Sequence, residues 1–131
     1  MRLPLALGLA LLCGAAQAQE CGDQASQAAM NECAGQAYHK SDAALNAAYR
    51  EIVARLADDA AGRGRLQAAQ RAWLAFRDAE CAFATAASAD GSIHPYVQAT
   101  CLEALTESRL QQLQAYLACE EGDPSCPVPP S

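Results

Sequence analysis

The sequence lacks the short motifs around which most catalytic and metal sites are built. It has no phosphate-binding glycine loop, no nucleophile elbow and no Cys-x-x-Cys pair. Its two histidines, His39 and His94, stand at no metal-ligand spacing with the cysteines. Acidic residues are plentiful, but no pattern fixes two of them at the separation that glycoside hydrolysis requires. We therefore expect neither an enzyme nor a protein that depends on a metal or another cofactor.

Long apolar runs are also missing. The run from Leu3 to Leu12 is too short to span a bilayer, and it lies between Arg2 and the small residues Ala16-Gln17-Ala18. This order is typical of a secretory signal peptide, residues 1–18, with cleavage after Ala18. Cys13 lacks the preceding small residue that lipid attachment requires. The sequence thus predicts an exported protein, periplasmic or secreted, without a membrane span.

Positive charge is scarce. The chain has 9 basic and 15 acidic residues, which gives a formal net charge of -6 at pH 7. Loss of the signal peptide removes Arg2 and no acidic residue, so 8 of the 9 basic residues remain against all 15 acidic ones. Such a protein is a poor ligand for nucleic acid or an anionic membrane. We expect a basic protein as its partner.

No stretch alternates apolar and polar residues in the way that a half-buried strand does. Helical periodicity instead runs through three segments, which are Ser26 to Leu56, Arg65 to Ala87 and Pro95 to Cys119. Asp58 to Gly64, with two glycines, is predicted to be the first connection. The polar segment Ser88 to Tyr96, which contains Asp90-Gly91, is predicted to be the second.

These segments predict an all-α fold, a small antiparallel three-helix bundle. A four-helix bundle is the alternative, if the first segment breaks at Lys40-Ser41-Asp42. The helical domain is expected to cover residues 19–119. Residues 120–131 form a Pro-rich tail that cannot continue the third helix.

Six cysteines remain after Cys13 leaves with the signal peptide, and an even count in a small exported domain indicates disulfides. In a bundle that runs up, down and up, Cys119 lies roughly 25–30 Å from Cys33, Cys81 and Cys101 at 1.5 Å per residue. A disulfide cannot span that distance. The expected pairs that staple the bundle are Cys119–Cys126, Cys81–Cys101 and, by elimination, Cys21–Cys33.

The second helix carries the chain's only Trp and both of its Phe residues. On a helical wheel, Leu66, Trp73, Phe76 and Phe83 share one apolar arc, which we expect to be buried. Polar residues fall inside the same arc or on the apolar face of the third helix, and they are Gln70, Arg77, Glu80 and Arg109.

A charged group in an apolar interface needs a partner. We predict that these four residues form a structural network, in which Arg77 reaches Glu80 and Arg109 reaches Asp42, Ser41 or Glu80. The alternative is that they face a ligand in a groove between helices.

Several rare residues recur in a characteristic order. Two cysteines with eleven residues between them precede Leu45-Asn46-x-x-Tyr49, and Ala69-Gln70-Arg71-x-Trp73-x-x-x-Arg77-Asp78-x-x-Cys81 follows. Gly91-Ser92, Cys101 and Thr106-x-x-Arg109-x-x-x-Leu113 complete the series. In this order the chain resembles the lysozyme inhibitor LprI-like family, formerly called domain of unknown function 1311, over about residues 21 to 119. The resemblance implies a small exported helical domain, with lysozyme inhibition known for a member of the family.

Two hypotheses about function follow. The first is an exported binding protein that inhibits a basic lysozyme, with Ser92, Ile93 and His94 at the tip of the second loop as the inserted residues. The Cys81–Cys101 pair would hold the base of that loop and lower the entropy lost on docking. The second is a cell-envelope interaction or stress protein that binds another protein or a small ligand in an inter-helix groove. A plain helix connector is the structural alternative for the loop.

Overall fold

The computed structural model describes residues 20–131, and the predicted signal peptide lies outside the described residues. Three long α-helices follow one another, α1 (Gln27–Arg55), α2 (Ala60–Ala84) and α3 (His94–Leu117), with a short 3-10 helix, Ala86–Ser88, after α2. No β-strand occurs between residues 20 and 131. The predicted all-α bundle is therefore confirmed. None of the helices in this part of the chain is long and apolar enough to cross a membrane.

Helix α1 begins and ends close to the predicted residues. The Ser26 hydroxyl oxygen accepts a hydrogen bond from the backbone N–H of Ala29 at 3.1 Å, which caps the first turn. The helix continues without interruption through Ser41, so the predicted alternative of a break there is wrong. Its buried residues recur at helical spacing and form one stripe, Ala34, Ser41, Leu45, Ala48 and Ile52.

Helix α2 begins five residues earlier than predicted. The side chain of Asp59 accepts a hydrogen bond from the backbone N–H of Gly62 at 2.8 Å, so Asp59 is the N-cap. Both Gly62 and Gly64, predicted to belong to a turn, lie inside the helix. A glycine costs only about 1 kcal/mol in a helix, and a good cap offsets a cost of that size.

The hydrogen bonds between helices give their directions. Asn31 bonds to Ser92, and Arg55 bonds to Leu117, so α1 and α3 run the same way. Along α2 and α3, Gln70 bonds to Arg109, Arg77 to Thr106 and Cys81 to Cys101, so α2 runs against α3 and therefore against α1. The topology is the up-down-up bundle that the sequence predicted.

The core lies mainly between α1 and α3, which make the most extensive contact in the structure. Its largest fully buried apolar side chains are Leu45, Ile52 and Leu113. The C-terminal tail contributes as well, because Val128 is only 3% exposed and belongs to the same cluster. The sequence predicted the tail to be non-helical, but nothing in its composition indicated that it returns to the core.

Helix α2 turns a narrower face inward than predicted. Its Leu66 and Trp73 pack partly buried against the core. Phe76 and Phe83, expected on the buried arc, are instead 55% and 78% exposed, so that prediction was wrong. The reason is that α1 and α3 largely cover each other, and α2 buries only a stripe, formed by Gln70, Arg77 and Cys81.

Within residues 20–131, three disulfides staple the helices. They join Cys21 to Cys33, Cys81 to Cys101 and Cys119 to Cys126, which are the pairs expected from the sequence. The second ties the end of α2 to α3, and the third closes the tail against the end of α3.

Candidate functional site

The connection between α2 and α3 is held by several contacts. Asn31 in α1 donates a hydrogen bond from Nδ2 to the backbone oxygen of Ser92 at 3.1 Å. The Ser88 hydroxyl donates to the backbone oxygen of Thr85 at 2.9 Å and lies 3.1 Å from Nδ1 of His94. The Cys81–Cys101 disulfide holds the flanking helices together. These contacts leave little freedom for the turn between them.

The three residues predicted at the loop tip are not equivalent. Ser92 is exposed, and Ile93 is 43% exposed although it is a large apolar residue. His94 is half-buried, begins α3 and contacts Ser88, so it belongs to the base of the turn rather than to its tip. The helix starts here because Pro95 suits a first helical turn.

Phe83 adds a second exposed apolar side chain at this end of the bundle. It lies one residue before the end of α2 and is 78% exposed. Two acidic residues nearby in the chain, Glu80 and Asp90, are exposed as well. We call these residues together with the turn the loop-end surface, defined as Glu80, Phe83, Asp90, Ser92 and Ile93. Phe83 was missed because the wheel placed it on the buried arc.

Arg77 is the polar centre of the bundle and is only 7% exposed. Its Nη1 lies 3.4 Å from Oδ1 of Asp42 in α1 and 3.4 Å from Oγ1 of Thr106 in α3. Its Nε donates to Oδ1 of Asp78 at 2.9 Å. The guanidinium also lies over two aromatic rings, 5.5 Å from the centre of Tyr38 and 5.2 Å from that of Trp73. One side chain thus contacts all three helices.

Arg109 and Gln70 form a separate contact between α3 and α2. The Arg109 Nε donates to Oε1 of Gln70 at 3.0 Å, and Nη1 donates to Oε1 of Gln112 at 2.9 Å. The predicted network of four residues therefore divides into two. Glu80 joins neither part, because it lies roughly 100° around α2 from the buried Cys81 and is exposed. Asp42 lies beside Arg77 in place of the predicted Glu80. The predicted contact of Arg109 with Asp42, Ser41 or Glu80 was also wrong, because Arg109 bonds to Gln70 and Gln112.

A third polar contact joins α1 to α3. Ser41, which is buried, donates a hydrogen bond to Oε1 of Glu107. Burial raises the pKa of the nearby Glu103 carboxyl above its ordinary value of 4.5, and the negative charge of Glu107 adds to the rise. Burial also raises the pKa of the Tyr38 hydroxyl, against the opposing charge of Arg77. Every buried side-chain nitrogen and oxygen in residues 20–131 has a hydrogen-bond partner.

Within the part of the chain that the structure describes, no three His, Cys, Asp or Glu side chains are grouped to hold a metal ion. Buried Ser41, Arg77 and Gln70 bond to side chains of neighbouring helices, whereas the residues of the loop-end surface are exposed. The arrangement can present that surface to another protein.

Comparison with known proteins gives two similarities. The family model described as "Lysozyme inhibitor LprI" matches residues 18–113. An uncharacterized protein of Rhizobium meliloti (strain 1021) is 39% identical over 132 aligned residues, which cover 88% of this chain and 95% of the relative. No solved structure matches.

Proposed function

The chain belongs to the lysozyme inhibitor LprI family, and on that premise we propose that it is an exported inhibitor of a basic lysozyme. The family match over residues 18–113 is the observation that carries the proposal. The three disulfides agree with it, because such bonds form and persist in the periplasm and outside the cell.

The charge of the chain favours such a partner. The chain has fifteen acidic and at most nine basic side chains. Lysozymes of the c type, in contrast, are usually strongly basic. Opposite net charges steer two proteins together and raise the association rate, an effect that salt screens. An acidic inhibitor is therefore suited to capture a basic enzyme at low ionic strength.

We propose the loop-end surface as the region that contacts the enzyme. A few large side chains usually contribute most of the binding energy of an interface, and Phe83 and Ile93 are large apolar side chains that are exposed at this end of the bundle. The exposed carboxylates of Glu80 and Asp90 offer complementary charge. The bonds from Asn31 and Ser88 and the nearby disulfide favour binding, because a braced turn loses little entropy when it docks.

The test is titration of the predicted mature protein, residues 19–131, against several lysozymes, with hydrolysis of cell-wall substrate as the readout. Wild-type protein should inhibit, and Phe83→Ala and Ile93→Ala should each weaken inhibition by about tenfold, which corresponds to the loss of one well-packed side chain. Phe76→Ala is the matched control, because Phe76 is an exposed Phe on the same helix outside the loop-end surface.

The possible outcomes test the proposed function and the proposed contact surface separately. If the wild-type protein fails to inhibit any lysozyme at micromolar excess, the proposed function is wrong. If Phe76→Ala weakens inhibition as much as Phe83→Ala does, the contact surface lies further along α2 than the loop-end surface. Inhibition unaffected by either loop-end substitution would retain the function and remove the proposed surface.

A further inference from the structure

A cleft of about 410 Å³ opens at the opposite end of α2 from the loop-end surface. Its walls come from all three helices and from the tail. The apolar part is formed by the side chains of Ile52, Leu56, Leu66, Tyr116 and Val128. A concave site of this size with mostly apolar walls is typical of small-molecule binding sites.

Two arginine residues, Arg65 and Arg109, also line this cleft. The hydrogen bonds of Arg109 go to the amide oxygens of Gln70 and Gln112, which carry no charge. Neither arginine forms an ion pair with a carboxylate anywhere in residues 20–131, although the chain as a whole is acidic. The positive charge in the cleft is therefore not neutralised by direct pairing.

Asp59 is the one carboxylate in the lining, and its position has a separate explanation. It caps α2 by accepting the hydrogen bond from Gly62, and it lies too far from both guanidiniums for an ion pair. An added anion would meet two arginines that have no carboxylate partner in residues 20–131. Arginine is the residue best suited to bind a carboxylate through paired hydrogen bonds.

We propose that this cleft binds a small amphipathic carboxylate of the medium-chain fatty acid type. Its chain lies against the apolar walls, and its carboxylate binds Arg65 and Arg109. Sugars and other hydrophilic molecules do not suit these walls, and an amine would face two like charges. The tail takes part in the site, because Pro127 and Val128 form one wall and the Cys119–Cys126 disulfide holds them there.

Isothermal titration calorimetry of the mature protein tests the proposal with dodecanoate as the probe. Dodecyltrimethylammonium, with the same chain and the opposite charge, is the control ligand. We expect saturable binding of dodecanoate, and no binding of the cation. Arg65→Gln should weaken dodecanoate binding by about tenfold, the loss expected for one charge-assisted contact. Arg71→Gln is the matched control, because Arg71 is an exposed arginine of α2 outside the lining.

A blocking variant makes the test independent of charge. Ala69 lines the cleft and is exposed, so Ala69→Phe should fill the space without removing a polar contact. It should abolish dodecanoate binding while the circular dichroism spectrum stays that of the wild type. The absence of saturable dodecanoate binding, equal binding of the cation, or unchanged affinity in Ala69→Phe or Arg65→Gln would each overturn the proposal.

Discussion

Replacing Arg77 with methionine tests whether this buried guanidinium holds the three helices in register. Methionine keeps the unbranched apolar stem and removes the charge. The lost contacts are the two ring contacts, to Tyr38 and Trp73, and the hydrogen bonds to Asp42 and Thr106. The bond to Asp78 contributes little, because that carboxylate is mostly exposed.

The expected loss can be worked from these contacts. Each ring contact of a largely desolvated arginine contributes about 1 kcal/mol. The two long hydrogen bonds together contribute about 1 kcal/mol. Relief of the desolvation of the guanidinium offsets part of this loss, so we expect a net decrease of about 2 kcal/mol in the free energy of unfolding. For a domain of this size, the Tm should fall by roughly 8 °C.

Thermal and urea unfolding of Arg77→Met, followed by far-ultraviolet circular dichroism with the disulfides intact, measures this change. Arg71→Met is the matched control, because it removes an exposed arginine from the same helix and should change stability by less than about 0.5 kcal/mol. Equal or greater stability of Arg77→Met would refute the reasoning. It would show that desolvation of the guanidinium costs at least as much free energy as its contacts contribute.

Two further predictions concern the start of α2 and a carboxyl group of α3. Gly64→Ala should raise the free energy of unfolding by about 1 kcal/mol, because an added Cβ meets nothing within 4 Å. Gly62→Ala should give no such gain in the same urea titration, because its Cβ would meet the capping carboxylate of Asp59. Glu103→Gln should be more stable than the wild type at pH 7, and the difference should disappear below pH 4.5. The sign follows because a raised folded-state pKa contributes stability below the unfolded value, which is lost as the pH rises through the folded value.

Each of these predictions can be contradicted by one specific result. An equal gain in both glycine variants would show that Asp59 does not cap the helix as described. A stability difference between Glu103→Gln and the wild type that is independent of pH would contradict the assigned cause of the pKa shift.

The helices could largely be predicted from local sequence signals. Ser26 marks the start of α1, and Pro95 marks the start of α3. The start of α2 could not, because Gly62 and Gly64 suggest a turn and only the cap by Asp59 shows that the helix already includes them. The cap by Asp59 and the bonds from the Arg63 side chain to the backbone oxygens of Leu56 and Ala57 outweigh the local preference there.

The inward face of α2 could not be predicted correctly from the sequence of α2. The helix is rich in alanine, and alanine is compatible with both buried and exposed positions. The helical-wheel prediction therefore depended on the large aromatic residues. It placed Phe83 on the buried face and paired Glu80 with Arg77. The buried stripe is set by the gap that α1 and α3 leave, which no property of α2 alone reveals. The same holds for Val128, whose burial depends on the path of the tail.

The resemblance to a family could be read from the spacing of rare residues, and the family match confirms it. The loop-end surface could be predicted only in part. Ser92 and Ile93 lie in a segment with clear turn chemistry, whereas the role of His94 at the base depends on its contact with Ser88. The contacting face stays a prediction.

Lysozyme activity in the presence of the mature protein, measured at two ionic strengths, tests the central claim most directly. At about 0.01 M the Debye length is about 30 Å, and at about 0.15 M it is about 8 Å, so charge steering is much weaker in the second case. We predict inhibition at both, with an inhibition constant that is roughly tenfold weaker at the higher ionic strength. An absence of inhibition at micromolar excess in both conditions would contradict the claim.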